Sequence, residues 1–477
     1  MSPGSCFRGE SHPTATATSN ACHAARIHGD DRSRRSLRST PREVLPAPQA
    51  NSQRDDGACP FREIQRSPCG RRYSRVNVSQ HKKALSNFPF EVTGPRHTRE
   101  EKATSPADHR LRAAIIGTGA VAAHHLSAMS EHDDIETVAA VDVEPERLHA
   151  FCRSGEHELR GYTDVDEMLS AERPDLVSVC TPPASHVELV TSALRSGAWV
   201  WCEKPPCLSL AGYEEMTAAQ GTDGPYVSFV FQQRFGSGAR HARELLATRE
   251  LGTPLVAHCQ TTWYRDSEYF AAPWRGKWET EGGGPAMGHG IHQLDLLLHL
   301  LGPWLEVRAM TGRLWHEVDT EDVSTALVRF ESGAMATVVN SLLSPDEMSR
   351  IRLDCSEATV ELTHLYGHRN EDWRYTPAPH VTDEGRIERW RNPEHDEPSS
   401  HGAMLRELVT AMREGARPPC DEREGRRILE LVTALYKSAA TGREVRSGEI
   451  GPDDPFHTVI HGGFPERLTG DGETKRA

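Results

Sequence analysis

This chain of 477 residues lacks three features, and each absence excludes a class of protein. It has no apolar run of about 18 residues, so the sequence predicts no membrane span. None of its 11 cysteines stands in a C-x-x-C pair, the spacing typical of structural zinc and dithiol redox sites. Its net charge of -14 argues against nucleic-acid binding, because phosphate contacts need a basic face. Scattered cysteines are typical of a reducing compartment, and we expect a cytoplasmic protein.

Residues 1–108 differ in composition from the rest of the chain. They carry 18 Lys or Arg against 11 Asp or Glu, whereas the remaining residues carry 37 against 58. They show no helical or alternating periodicity, so they cannot bury enough apolar surface to offset the entropy of ordering. Arg34 and Arg35 are not followed by the apolar region of an export signal. We expect a disordered extension or, because no Met lies between Met1 and Met129, a misassigned start.

A glycine-rich turn follows the first apolar run of the remaining chain. Ala113–Ile116 has the pattern of a buried parallel strand, and a predicted helix over 121–129 comes directly after the turn. In a dinucleotide fold Gly117 permits the tight turn, Gly119 lets the backbone approach a pyrophosphate, and Ala122 packs the helix. The helix amides then face negative charge. The predicted cofactor-binding residues of this turn are Gly117, Thr118, Gly119, Ala120 and Val121.

An acidic residue ends the second predicted strand. Thr137–Val141 leads into Asp142, about 20 residues after the glycines. A carboxylate at this position accepts hydrogen bonds from a ribose 2′-hydroxyl and repels a 2′-phosphate. Because Val143 follows and no Arg stands immediately beside the acid, we expect NAD in preference to NADP. The alternative is that Asp142 only caps the next helix.

Strand and helix patterns continue to alternate, which predicts a doubly wound parallel sheet over residues 109–232. Helices are expected at 144–152 and from 162 onwards, with Thr163 as a candidate cap, and strands at 175–180 and 198–202. Ligands bind at the carboxyl ends of such strands. Thr181 and Pro182 follow one strand, and Glu203 and Lys204 follow the next, so we expect these four residues to line a nicotinamide site. The alternative for Lys204 is an exposed lysine at a strand end.

Residues 233–450 predict a second domain of the α+β class with an open, largely antiparallel sheet. Strand patterns cover 255–263, 324–330, 334–340 and 351–362. Amphipathic helices over 403–413 and 426–439 are expected to pack back on the first domain. Residues 451–477 are expected to form a tail.

Four segments together resemble the Gfo/Idh/MocA family of oxidoreductases over residues 111–446. They are the GTGAVA turn, the VCTPPASH segment of 179–186, the CEKP segment of 202–205 and the GGG…GIHQLD segment of 282–295. The resemblance implies hydride transfer between NAD(P) and a hydroxyl of a sugar, cyclitol or related polyol. It implies Lys204 and His292 as the reactive pair, His186 among the cofactor-binding residues, and a homodimer or homotetramer formed through the second sheet.

The chemistry of these residue types agrees with that implication. Oxidation of a secondary alcohol needs a base for the hydroxyl proton, which an imidazole supplies, and a nearby ammonium stabilises developing negative charge. Aromatic rings with a guanidinium suit a sugar, although Trp274 and Arg275 could equally pin their loop. The predicted substrate-binding residues are Gln232, Arg234, Trp274, Arg275, His289 and Asp295.

One position departs from the family pattern. Inositol-dehydrogenase-like members place an Asp four residues before the reactive His, and this chain has Gly288 there. His289 is expected to substitute in part, or the pocket to admit a bulkier substrate. Two alternatives stay open: a sensor that binds NAD and a sugar without turnover, and a metal on the shared helical face of His292, Asp295 and His299. We expect no metal.

Overall fold

The computed structural model describes residues 109–155 and 158–470. The extension predicted for residues 1–108 lies outside them. Within the described ranges, no helix combines the length and the apolar character that crossing a bilayer requires.

A parallel sheet forms the first half of the described chain. Its strands are β1 (Leu111–Ile116), β2 (Ile135–Val141), β3 (Arg160–Tyr162), β4 (Leu176–Val179), β5 (Trp199–Cys202) and β6 (Val227–Phe229). They lie in the order β3-β2-β1-β4-β5-β6, and every pairing is parallel. The connecting helices are α1 (Ala122–Ser130), α2 (Pro145–Cys152), α3 (Val165–Glu172), α4 (His186–Arg195) and α5 (Leu210–Thr217).

The central strands are mostly apolar because helices cover both faces of the sheet. All four residues of β4 are buried, as are the last four of β1. Asp164 caps α3, since its carboxylate accepts a hydrogen bond from the Glu167 amide at 2.8 Å. The cap is therefore one residue later than Thr163, where the sequence placed it.

A mixed, mostly antiparallel sheet forms the second half. It contains β7 (Pro254–Tyr264), β8 (Trp304–Gly312), β9 (Val323–Phe330), β10 (Met335–Ser341), β11 (Leu343–Cys355), β12 (Ala358–Thr363), β13 (Trp373–Pro377) and β14 (Val445–Arg446). The order is β13-β12-β11-β7-β10-β9-β8-β14, and only the β7–β10 pairing within it is parallel. Its helices are α6 (Ser237–Ala247), α7 (Ile291–Leu301), α8 (Glu384–Arg391), α9 (His401–Glu414), α10 (Glu422–Thr441), α11 (Pro455–Thr458) and α12 (Pro465–Thr469). The two sheets confirm the predicted fold class.

Two predicted segments differ from the structure. The strand expected over 351–362 is a hairpin, because β11 and β12 meet at a turn of Ser356 and Glu357 and pair in antiparallel register. The tail expected beyond 450 carries α11 and α12 instead. Phe456, Ile460 and Leu468 are buried there, so this segment packs on the body of the protein.

A buried ion-pair cluster joins three elements of the second half. Arg234, in the turn between β6 and α6, donates to both carboxylate oxygens of Asp295 on α7, at 2.7 and 2.5 Å. Its other terminal nitrogen donates to Glu424 on α10 at 2.5 Å. The side chains of Arg234 and Asp295 are 7% and 1% exposed. A buried charge is tolerated only when paired, so this cluster fixes α7 relative to the linker from the first sheet.

Removing one partner of this cluster should destabilise the protein strongly. We expect Arg234→Met to cost about 3–5 kcal/mol, because it leaves the Asp295 carboxylate buried without its counter-charge. Arg234→Met combined with Asp295→Leu should cost less than Arg234→Met alone. Glu306→Gln is the matched control: Glu306 pairs with the half-exposed Arg329, and such a pair contributes about 0–1 kcal/mol. Urea unfolding midpoints measure all three, and equal losses for Arg234→Met and Glu306→Gln would contradict the assignment.

Candidate active site

The glycine-rich turn has the shape that a pyrophosphate needs. Gly117 has φ +88°, and a Cβ there would lie 2.8 Å from Thr181 Cγ2, so only glycine fits between β1 and the end of β4. Gly119 is exposed, and no described atom lies within 4 Å of where its Cβ would be. Thr181 is held by a hydrogen bond from Ser185 Oγ at 2.8 Å. The turn therefore leaves open space beside the first turn of α1, where amides favour an anion.

Asp142 lies at the end of β2, where its carboxylate closes the glycine turn. It accepts hydrogen bonds from the amide and hydroxyl of Thr118, both at 2.8 Å, and from the Glu144 amide at 2.9 Å. Arg147 on α2 donates from Nε at 3.1 Å and Nη2 at 2.6 Å. Burial opposes ionisation, but these bonds, from Arg147 above all, hold the pKa of Asp142 well below its usual range. Sequence reasoning considered only the immediate neighbours of Asp142 and missed Arg147.

Lys204 follows β5 and reaches across to the second half of the chain. Its Nζ donates a hydrogen bond to the Gly288 carbonyl at 2.9 Å. Burial lowers the pKa of this ammonium, whereas the neighbouring Glu203 carboxylate raises it. Lys204 thus lies in a partly enclosed place, hydrogen-bonded to the backbone of the segment that leads into α7.

Glu203, predicted to bind the cofactor, points into the protein instead. Its carboxylate accepts from His125 Nε2 at 2.9 Å and lies 3.3 Å from His401 Nε2. Burial opposes its ionisation, but these two imidazoles hold the pKa of Glu203 well below its usual range. Ser178 Oγ lies 2.6 Å from the other nitrogen of His125. Glu203, His125 and His401 are residue types that can bind a metal, and their potential ligand atoms lie within 4.8 Å of one another. The hydrogen bonds among them already account for this arrangement.

His186, also predicted to bind the cofactor, is occupied by backbone carbonyls instead. It is fully buried, and its Nε2 lies 2.9 Å from the Thr181 carbonyl. Its Nδ1 lies 3.0 and 3.1 Å from the carbonyls of Pro205 and Pro206. The imidazole therefore ties together the backbones at the ends of β4 and β5.

Two histidines of the glycine-rich segment have free nitrogens. A π-helical turn over Ala286–Gly290 precedes α7 and carries His289, and His292 stands on the first turn of α7. The Nδ1 atoms of both are buried without a hydrogen-bond partner among the described residues. Burial, followed by the Lys204 charge, lowers the pKa of both imidazoles well below the usual value. Both are therefore neutral near pH 7 and able to accept a proton.

The loop before the glycines supplies a polar wall. The guanidinium of Arg275 lies 4.1 Å from the ring centres of both Tyr269 and Trp274. It donates to the Tyr269 hydroxyl and, at 2.8 Å, to Glu281. The Tyr269 hydroxyl lies 3.4 Å from His289 Nε2. Trp274 and Arg275 thus lie in one cluster with His289, in which the Trp274 ring stacks against the Arg275 guanidinium.

Gln232 and Tyr366 form a second wall. The Gln232 amide donates to the Tyr366 hydroxyl, and the Tyr366 ring lies edge-on to His292 with centres 6.0 Å apart. Tyr366 lies in the loop after β12, and sequence reasoning missed it because no local pattern marks it. Arg234 and Asp295, predicted to bind substrate, are instead committed to their shared ion pair.

Two family models and several known proteins match this chain. Residues 111–229 match the family model described as oxidoreductase family, NAD-binding Rossmann fold, and residues 239–361 match the GFO/IDH/MocA C-terminal domain. The chain is 29% identical over 389 residues to D-apiose dehydrogenase of Paraburkholderia graminis, covering 78% of this chain and 98% of that protein. It is 27% identical over 362 residues to D-glucoside 3-dehydrogenase of Escherichia coli, covering 70% and 97%.

Solved structures agree with the sequence relatives. The WlbA dehydrogenase of Bordetella pertussis, in complex with NADH and UDP-GlcNAcA, superimposes with a TM-score of 0.64 and 25% identity. The match covers 71% of this chain and 99% of that one. The two family models cover the whole parallel sheet, strands β7 to β11 of the second sheet, and the segments that carry the glycine turn, Lys204 and His292. The chain belongs to the Gfo/Idh/MocA family of oxidoreductases and carries its NAD-binding Rossmann fold.

Proposed function

We propose that this protein transfers hydride between NAD and a secondary hydroxyl or keto group of a sugar, cyclitol or related polyol, with Lys204 and His292 as the reactive pair. The observation that carries the proposal is the buried, unpartnered Nδ1 of His292 close to the enclosed ammonium of Lys204. Buried polar atoms usually have a hydrogen-bond partner, and in this proposal the substrate hydroxyl is the partner of His292 Nδ1. Sugar-acting relatives such as D-apiose dehydrogenase and D-glucoside 3-dehydrogenase support the substrate class.

The residues divide the work by position. NAD, when bound, accepts or returns the hydride. The amides of Gly117–Val121 hold its pyrophosphate, Asp142 its ribose, and Thr181 with Pro182 border the nicotinamide. Neutral His292 accepts the hydroxyl proton, while the Lys204 ammonium donates a hydrogen bond to the oxygen as negative charge develops. Glu203 and His186 fix the backbone that carries Lys204 and Thr181.

Other unpartnered polar atoms suit the remaining hydroxyls of a polyol. Gln232 Oε1 and His289 Nδ1 are buried without partners among the described residues. Gln232 is linked to His292 through Tyr366, and the Lys204 charge acts on His289. The amide oxygen accepts a hydroxyl proton, and the histidine nitrogen accepts or donates according to its tautomer. The Tyr366 ring offers an aromatic surface beside His292. This mixture of acceptors and aromatic surface favours a neutral, multiply hydroxylated ligand.

Loss of the imidazole at 292 should remove turnover without removing NAD binding. We expect His292→Ala to lower kcat by about 10²–10⁴-fold, because a general base is lost. Lys204→Ala should lower kcat comparably and also weaken NADH binding. His299→Ala, which removes an imidazole on the same helix away from the proposed site, is the matched control. The assays are turnover on a polyol, aldose and glycoside panel and NADH fluorescence titration; near-normal turnover of His292→Ala would shift the role to His289.

The pH profile follows from the same assignment. His292 must be neutral to accept a proton, and its pKa is held well below 6.5 by burial and by Lys204. Activity in the oxidative direction should therefore persist below pH 6.5 and fall only where the imidazole becomes protonated. That acidic limb should vanish from the residual activity of His292→Ala.

Asp142 and Arg147 should set the choice of cofactor. The wild-type protein should bind NADH more tightly than NADPH, because the carboxylate repels a 2′-phosphate. Asp142→Ala should reduce this preference by about tenfold, equivalent to about 1.4 kcal/mol, and release Arg147 to pair with the phosphate. Adding Arg147→Ala should weaken NADPH binding again. Fluorescence titration gives the dissociation constants, and a wild-type preference for NADPH would overturn the ribose assignment.

The open face of the second sheet is proposed as the surface of a homodimer or homotetramer. Alternate residues of its strands are exposed there, including Met310, Leu327 and Met335 at 73%, 58% and 51%. Exposed apolar side chains concentrated on one face mark an interaction surface. We expect Leu327→Glu combined with Met335→Glu to lower the mass measured by light scattering, whereas Val459→Glu, at an exposed site off the sheet, should leave it unchanged. A monomeric wild-type protein would refute this surface.

A further inference from the structure

Gly288 leaves a space in the proposed active site that a carboxylate from elsewhere fills. The position that a Cβ on Gly288 would take lies 3.4 Å from Oε1 of Glu281. The carbonyl of the same glycine accepts the hydrogen bond from Lys204 Nζ. Lys204 and Glu281 therefore both approach Gly288, Lys204 at its carbonyl oxygen and Glu281 where a side chain would begin.

Glu281 is held firmly in that place. It is 5% exposed, its Oε2 accepts from the Gly276 amide at 2.6 Å, and its Oε1 accepts from Arg275 Nη1 at 2.8 Å. Burial raises the pKa of this carboxyl, whereas Arg275 lowers it. Arg275 cannot move freely, since the rings of Tyr269 and Trp274 flank it. The carboxylate is thus preorganised before any substrate arrives.

Lys204 is surrounded by charges of both signs. Glu203 adjoins it in sequence, Arg275 and Glu281 face it from the loop, and His289 and His292 face it from the π-helical turn and α7. Glu203 already shares its charge between His125 and His401. Glu281 is therefore a second carboxylate, besides Glu203, that favours the charged form of Lys204, and it also pairs with Arg275.

We propose that Glu281 is a positioning residue that acts across the space left by Gly288, keeping Lys204 protonated and directed at the reacting oxygen. This inference rests on the proposed function of Lys204. A carboxylate that lies against the same glycine as the amine favours the ionised form of that amine. A neutral amine could not stabilise a developing alkoxide as strongly. Glu281 contacts neither nicotinamide nor hydroxyl in this role, so it acts through Lys204.

A direct titration of Lys204 tests the proposal without any substrate. The chain has seven lysines, so protein labelled with ¹³Cε-lysine gives few NMR signals, and Lys204→Arg assigns the relevant one. Glu281→Gln should lower the pKa of Lys204 by about one pH unit. Glu279→Gln, which removes an exposed carboxylate two residues earlier, should leave it unchanged. An unchanged pKa in Glu281→Gln overturns the inference even if the enzyme proves to be a sugar dehydrogenase.

A rescue variant separates charge from folding. Gly288→Asp in the Glu281→Gln background places a carboxylate in the same space from the other side. It should restore the pKa of Lys204 and return the basic limb of the kcat/KM profile, which Glu281→Gln moves to lower pH, towards its wild-type position. If the double variant keeps the wild-type melting temperature but restores neither the pKa of Lys204 nor the basic limb, Glu281 has only a structural role. Absence of all turnover in the wild type, with the NMR shift present, would overturn the proposed function and the catalytic part of this inference, and would leave only the effect of Glu281 on the pKa of Lys204.

Discussion

The hydrogen bond from Lys204 Nζ to the Gly288 carbonyl joins the two halves of the site, and much of the surrounding structure serves to permit it. An ammonium buried in this way loses hydration and needs compensating partners. The carbonyl supplies one, while Glu203 and Glu281 supply charge. Because the lysine follows β5 of the first sheet and the carbonyl precedes α7 of the second half, the bond links these two parts of the structure directly.

The backbone on both sides of that bond is held by buried polar groups. On the Lys204 side, His186 bridges the carbonyls that follow β4 and β5. On the Gly288 side, Glu321 accepts from the Gly284 amide at 2.9 Å and from the Tyr436 hydroxyl at 2.8 Å. A Cβ on Gly284 would lie 1.8 Å from the Glu321 carbonyl oxygen, so the glycine is required for this approach. Satisfied buried networks of this kind are rigid, which is what a site needs to place a base within reach of a hydroxyl.

The sequence predicted the parts of the site that depend on local pattern. The glycine turn, Asp142 and Lys204 stand at strand ends, and parallel strands place such ends at one edge. Arg147 lies one turn into the helix after Asp142 and could have been found by looking beyond the adjacent residue. Tyr366 and His401 could not, because they arrive from distant segments whose own patterns describe only a loop and an amphipathic helix. The hairpin at Ser356 and Glu357 was missed for a related reason: its turn contains neither glycine nor proline.

The charges around Lys204 come from segments that are far apart in the sequence. Burial lowers the pKa of His289 and His292, the Lys204 charge lowers both further, and Arg275 adds to the effect on His289. Glu281 offsets part of the positive charge of Lys204 and Arg275. The Glu203 carboxylate also contacts two imidazoles, those of His125 and His401. The site therefore retains positive potential without an unpaired buried ion. In the proposed reaction, this potential would stabilise the alkoxide that forms when a hydroxyl gives its proton to His292. Local sequence patterns locate the lysine and the histidine, but this balance exists only once the loop, the π-helical turn and the strand end have met.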